Sequence, residues 1–233
     1  MTEFGFNDDA HVVVTHVGRS GIAVFSITDV LRNPEEVAAL GFAASYAHDA
    51  GNFYPGIRAP MPEAFSAAFR RWLAHVLHRE FSRDTSYFSV VTTAGADLLP
   101  IQRIPHYDST DRDLFAAVIY LCGESRFSGT SFYRHRRTGY EEITAENRRN
   151  YQLALDTDMR LHGVPAKQYA NGSGALFEVI FSNELKFNSA LVYPGRLLHA
   201  GNIPSMFSPP VSPAEWRLTI TSLMVSGSSA AVP

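Results

Sequence analysis

From Ser86 onward the chain breaks into short β-prone runs: Tyr87–Thr93, Leu98–Ile104, Leu114–Leu121, Thr130–Arg134, Leu176–Phe181, Lys186–Tyr193 and Arg217–Val225. Runs this short, rich in β-branched and aromatic residues and divided by turn signals, do not bury one another as helices. They predict a mainly β protein, a sandwich or jelly-roll barrel. The interval from about 141 to 174 is polar, carries Glu146-Asn-Arg-Arg-Asn150, and reads as a partly helical insertion placed to act as a lid over a barrel mouth.

The first 85 residues read differently. Val12–Val17 and Ile22–Ile27 flank Gly18-Arg-Ser-Gly21 and predict a hairpin. Asn33-Pro34-Glu35-Glu36 supplies a cap, a proline at the first helical position and acids in the first turn, for a helix to about Ala47. Three prolines and a glycine make Tyr54–Pro62 a loop. Apolar residues at Phe65, Phe69, Trp72, Leu73, Val76 and Leu77 place a second helix from Glu63 to about Phe81. A chain of 233 residues fits one domain, in which roughly 70–75% of the unfolded surface is buried. Within it, residues 1–85 form the hairpin and supporting helices, 86–225 the barrel, and 226–233 a frayed tail.

Charge and cysteine content narrow the function classes. The formal net charge is −3, which offers no footprint for nucleic acid or an anionic membrane. The single cysteine, Cys122, lies in an apolar run, so neither an internal disulfide nor a cysteine-rich metal site can form. An acidic N-terminus without an apolar core region, and no run of about 18 apolar residues, lead to the expectation of a cytoplasmic protein acting on a small molecule.

Chemistry concentrates at His106-Tyr107-Asp108. Chance placement of the chain's histidines and aspartates gives about 0.4 such pairs, so context must support it. On an extended segment, residues two apart project to one side, so His106 and Asp108 at the end of the 98–104 run can reach one ion. The pair His78 and Glu80 lies in a helical pattern, where the two side chains diverge. The same alternation puts Ile104 and Gln102 on the histidine's face, an amide among apolar groups lining a cavity. His199, after the Tyr193-Pro-Gly turn, is the best third ligand, with His135 and His162 as rivals. Two imidazoles and a carboxylate on one face of iron(II) leave neighbouring positions open.

These residues, with Arg217-Leu-Thr219 shortly after, resemble the signature of the iron(II)/2-oxoglutarate-dependent oxygenases, whose fold is a double-stranded β-helix. The segments 127–139 and 188–199 further resemble a bacterial subgroup, the DUF6445-type proteins. The resemblance covers about residues 86–225. It implies His106, Asp108 and His199 as ligands of Fe(II), Arg217 and Thr219 as the seat of the distal carboxylate of 2-oxoglutarate, and O₂ as co-substrate. The expected reaction is hydroxylation of an unactivated C–H bond, with release of succinate and CO₂. Threonine stands at 219 in place of the usual serine, and two departures stand out: Arg217 follows His199 by 18 residues across a proline-rich loop, and His199 follows His106 by 93 residues, a separation the insertion explains. By alternation Arg217, Thr219 and Thr221 share a pocket face, and Leu218 and Ile220 face apolar packing.

The substrate stays open. Arg126, Arg134, Arg136 and Arg137 form a basic cluster that fits either a carboxylate-bearing ligand or a solvated strand edge. A barrel enzyme that uses a metal without 2-oxoglutarate, and a non-catalytic binding module, are the competing functions.

Overall fold

The computed structural model describes residues 4–48, 53–123, 128–205 and 207–227. In chain order its elements are β1 (His11–Val17), β2 (Ile22–Thr28), α1 (Pro34–Phe42), β3 (Gly56–Pro60), α2 (Glu63–Leu77), β4 (Phe81–Val91), β5 (Leu114–Tyr120), β6 (Thr130–His135), α3 (Arg148–His162), β7 (Phe177–Ser182), β8 (Ser189–Pro194), β9 (His199–Gly201) and β10 (Leu218–Ser226). Seven strands form one sheet in the order β1-β2-β8-β5-β10-β4-β3, and three form a second, β7-β6-β9. The expected hairpin is present, and rather than standing apart it extends the large sheet through β2 and β8.

Strand alternation sorts the interior. Phe115, Ala117 and Ile119 of β5, Ala190 and Val192 of β8, and Leu218 and Ile220 of β10 join Phe65, Phe69 and Leu73 of α2 in one apolar core. Their sequence neighbours Ala116, Tyr120, Leu191 and Tyr193 point the other way, toward Phe132 and Leu197 of the small sheet's region. The two antiparallel sheets thus face each other across an aromatic interior, with helices on the back of the larger one. This is the jelly-roll, double-stranded β-helix arrangement. A third core, with Tyr133, Leu198 and Ala200, seats Ile143 and Tyr151 on the outer face of the small sheet. The expected insertion is therefore helical, but α3 covers the barrel's side. Only the stretch after it returns to the interior, where Tyr169 packs in the aromatic core and its hydroxyl donates to the Thr93 carbonyl at 2.6 Å.

Five expectations are corrected. The first helix stops at Phe42 rather than near Ala47, because both backbone polar groups of Ala47 pair with Arg58 at 2.9 and 3.0 Å, which requires extended chain. The Tyr54–Pro62 segment contains β3, an edge strand. Pro60 ends it and Pro55 and Pro62 lie outside it, so the ladder with β4 loses little. Leu98–Ile104 is not a strand: Pro100–Arg103 form a 3₁₀ turn, with the Gln102 side chain accepting the Leu99 N–H at 2.8 Å. Helix α2 ends at Leu77, where His78 adopts the left-handed conformation (φ 50°) and Phe81 already begins β4. Ser226 belongs to β10, and residues 228–233 lie outside the described residues.

Candidate metal centre

With no strand at 98–104, His106 is positioned by a different device. Its N–H donates to the His199 carbonyl at 2.9 Å and its carbonyl accepts the His199 N–H at 2.8 Å, an isolated bridge that holds two distant histidines side by side. Their ring centroids are 4.3 Å apart. The Asp108 N–H donates to the Gly195 carbonyl at 2.7 Å, and a Cβ at position 195 would press on Leu114 and Asp108. Glycine lets the turn after β8 come this close. His106 Nε2 lies 3.9 Å from one Asp108 oxygen and His199 Nε2 lies 3.6 Å from the other. One ligand atom from each of His106, Asp108 and His199 falls within 4.8 Å of the others, so the trio could hold a metal ion. Of the rivals, His135 is buried on the α3 side, where Asp158 and Thr138 engage both its nitrogens at 2.9 and 3.0 Å. His162 ends α3, away from the trio.

The donors are prepared for a cation. His199 Nδ1 sits 2.8 Å from the Leu197 carbonyl, so it carries the proton and leaves the Nε2 lone pair facing Asp108. Desolvation holds His199 at a pKa of about 4, against the opposite pull of that carbonyl. Desolvation and then the neighbouring His199 lower His106 to about 4 as well, with Asp108 working the other way. Both rings are neutral near pH 7. Desolvation raises the Asp108 carboxyl, partly offset by His106 and Arg58, and a bound dication would reverse that shift. About half of the His106 side chain remains open, 53% by area, and marks the accessible side of the centre.

Arg217, immediately before β10, and Thr219 within it lie on the interior side, with Leu218 and Ile220 in the helix-side core, as alternation requires. Arg217 is 5% exposed. One Nη donates to the Gly129 carbonyl at 3.1 Å, the guanidinium lies 5.6 Å from the Tyr120 ring centroid, and Nε is buried without a partner. Among the described residues no carboxylate pairs with it. Thr219 is fully buried, its hydroxyl 3.3 Å from the Ser89 carbonyl and engaged with the Tyr54 side chain. Tyr193 links the trio to Arg217. It packs edge-on against His199 at 4.7 Å, and its hydroxyl feels both Asp108 and Arg217 while burial pushes its pKa upward. Tyr193, Tyr120 and Tyr54 escape a reading by motif, although the register of β8 and β5 gives the signal for the first two. Gln102 does not share a face with His106; its amide is taken by the Leu99 N–H and the Phe53 carbonyl. In the basic cluster Arg134 pairs with Glu141 and Glu178, Arg137 with Asp158, and Arg136 donates to the Gly174 carbonyl; Arg126 lies outside the described residues.

The profile of a family of unknown function, DUF6445, matches residues 8–224. The chain belongs to the DUF6445 family. Among curated proteins, none matches it in sequence. In structure this DUF6445 member is similar to a Pseudomonas putida prolyl-4-hydroxylase, at 12% identity over 88% of this chain and 94% of that one, with a TM-score of 0.44. It is similar to SnoK, a non-haem α-ketoglutarate-dependent carbocyclase from nogalamycin biosynthesis, at 12% identity over 87% and 79%, with a TM-score of 0.49. It is also similar to HygX from Streptomyces hygroscopicus with nickel and 2-oxoglutarate bound, at 13% identity over 88% and 83%, with a TM-score of 0.44. The jelly-roll assignment for the DUF6445 chain stands on its own strand order and facing sheets.

Proposed function

We propose that this protein is an iron(II)- and 2-oxoglutarate-dependent oxygenase that hydroxylates an unactivated C–H bond of a small molecule. The observation that carries the reading is a convergent His-Asp-His trio in the same barrel interior as a buried arginine that, among the described residues, meets no carboxylate. His106, Asp108 and His199 supply borderline nitrogen and hard oxygen donors, a set suited to iron(II). Arg217, with the Thr219 hydroxyl beside it, offers a fork and a donor that match a carboxylate in charge and shape. With its metal and 2-oxoglutarate bound, such a centre consumes O₂, releases succinate and CO₂, and delivers an oxygen atom to substrate.

The chain's own residues prepare that chemistry. The Leu197 carbonyl fixes the His199 ring so that its lone pair faces inward. Asp108 fills a protein-ligand position, which leaves no vacancy for a halide and favours hydroxylation. Tyr193 stands between Asp108 and Arg217, with Tyr120 and Tyr54 beside Arg217, and these aromatic side chains would limit the access of water to the bound co-substrate.

Anaerobic titration with iron(II) and 2-oxoglutarate tests the reading, and a weak visible charge-transfer band is the expected result. His106→Ala or Asp108→Ala should abolish iron retention. Arg217→Ala should retain iron and bind 2-oxoglutarate at least tenfold more weakly, about 1.4 kcal/mol. No band in the wild-type protein, or unchanged co-substrate affinity in the Arg217 variant, would overturn it.

A further inference from the structure

A second arginine lies on the same interior face of the large sheet. Arg58 of β3 pairs with Ser89 of β4, Ser89 with Thr219 of β10, and Thr219 with Tyr120 of β5, so the four stand in one row across the large sheet. The neighbours of Arg58 on its own strand, Ile57 and Ala59, pack into the helix-side core, so Arg58 takes the interior side. Its guanidinium carbon lies 4.4 Å from the ring centroid of Tyr54 and 5.5 Å from that of Tyr87. Its Nε is buried without a partner, and among the described residues its guanidinium makes neither a hydrogen bond nor an ion pair. Its charge reaches the metal centre and is felt at both His106 and Asp108. Unlike Arg217, it is only half-buried, on an edge strand.

We propose that Arg58 binds the carboxylate of the substrate, so that the enzyme oxidises a small monocarboxylic acid. This rests on the oxygenase reading above. A dication, the Asp108 carboxylate, a dicarboxylate co-substrate and Arg217 together carry no net charge. Among the described residues around the site, Arg58 is then a cation without a counter-charge, and a single negative charge neutralises it. Stacking between Tyr54 and Tyr87 fixes the plane of the fork while leaving its edge for two parallel bonds to a carboxylate. A site built this way disfavours an uncharged analogue, because the half-buried cation, its Nε already without a partner, would then lie unpaired.

The test uses full-length protein loaded with Mn(II) and 2-oxoglutarate, which binds substrate without turning over. A panel of small carboxylic acids, α-amino acids included, is measured against the matching primary amides and phosphate monoesters by thermal shift and calorimetry. At least one acid should bind, with its amide at least tenfold weaker. In Arg58→Gln the acid should fall to the affinity of its amide, while Mn(II) still binds, no more weakly than in wild type, and 2-oxoglutarate affinity changes by well under tenfold, which also shows that the variant is folded. Arg58→Lys should recover part of the loss. The inference is overturned if no acid binds, if amides or phosphate esters bind as well as acids, or if Arg58→Gln keeps the preference. A tenfold loss of 2-oxoglutarate in Arg58→Gln would also overturn it, making Arg58 a co-substrate residue. Wild-type protein that binds no 2-oxoglutarate would instead bring down the oxygenase reading, and this inference with it.

Discussion

Arg217 costs the ligand-free protein stability. A guanidinium that is 5% exposed, with one hydrogen bond, an orphaned Nε and no carboxylate among the described residues, is a desolvated charge without compensation. Arg217→Met keeps the volume and removes the charge, so the ligand-free variant should be more stable than wild type by about 1–3 kcal/mol. With both proteins already loaded with Mn(II), adding 2-oxoglutarate at about 100 times its wild-type dissociation constant should raise wild-type stability by about 2.7 kcal/mol and that of the variant by about 1.4 kcal/mol or less. Thermal melts of both proteins with and without ligand read all four values. A variant that melts below wild type before ligand is added would make Arg217 a structural residue. At this scale the metal trio is legible in the sequence because residue type and order carry it: His106 and Asp108 at a spacing of two, then a distal histidine. Arg58 is not legible, since only the pairing of β3 with β4 turns it toward the cavity.

Elements were readable wherever alternation or helical period agreed with packing, as in β5, β8, β10 and α2. They were misread where tertiary pairing decided. Leu98–Ile104 has strand-like residues but turns at Pro100, and the Tyr54–Pro62 segment has loop-like residues but is drafted to the sheet edge by β4. The turn between β1 and β2 shows what joins such elements. Glu141, just after β6, is buried and accepts the backbone N–H groups of Arg19 and Ser20 together with the Arg134 guanidinium. Gly18 has φ 68°, and a Cβ there would collide with the Glu141 carboxylate. Gly18→Ala combines left-handed strain with that clash and should destabilise by about 2–4 kcal/mol, read as a lower denaturant midpoint. Desolvation would raise the Glu141 carboxyl, but the Arg19 N–H, Arg134 and the Ser20 N–H outweigh it and hold it below its ordinary 4.5. The unfolded chain therefore takes up this proton first on acidification, and the stability it gives is complete above about pH 4.5 and lost as pH falls through the folded value. The stability gap between wild type and Glu141→Gln should be widest near neutral pH and shrink below about pH 4. A gap that does not change with pH would show that Glu141 acts by shape alone.

For the whole molecule, the consequential fact is that the N-terminal hairpin is part of the large sheet. β2 pairs with β8 from Phe25 opposite Val192 to Thr28 opposite Ser189, and just beyond it Asn188 clamps Leu31, accepting its N–H at 2.8 Å and donating to its carbonyl at 2.9 Å. Ile27, Val30 and Leu31 are buried in the core that holds α2, and every residue of β8 is buried. Removing residues 1–32 would leave the run Ser189-Ala-Leu-Val-Tyr-Pro194 as a bare, apolar edge, the kind that recruits other chains. It would also uncover the strand that carries Tyr193, and through it the packing of His199. The truncated chain is expected to aggregate, or to collapse without fixed packing, its near-UV dichroism lost and Mn(II) no longer retained. Size-exclusion chromatography and near-UV spectra of the truncated and full chains decide this. A monomeric truncated protein with a wild-type near-UV spectrum and normal metal affinity would mean that β8, β5, β10, β4 and β3 with the small sheet stand alone, and that the hairpin is an appendage.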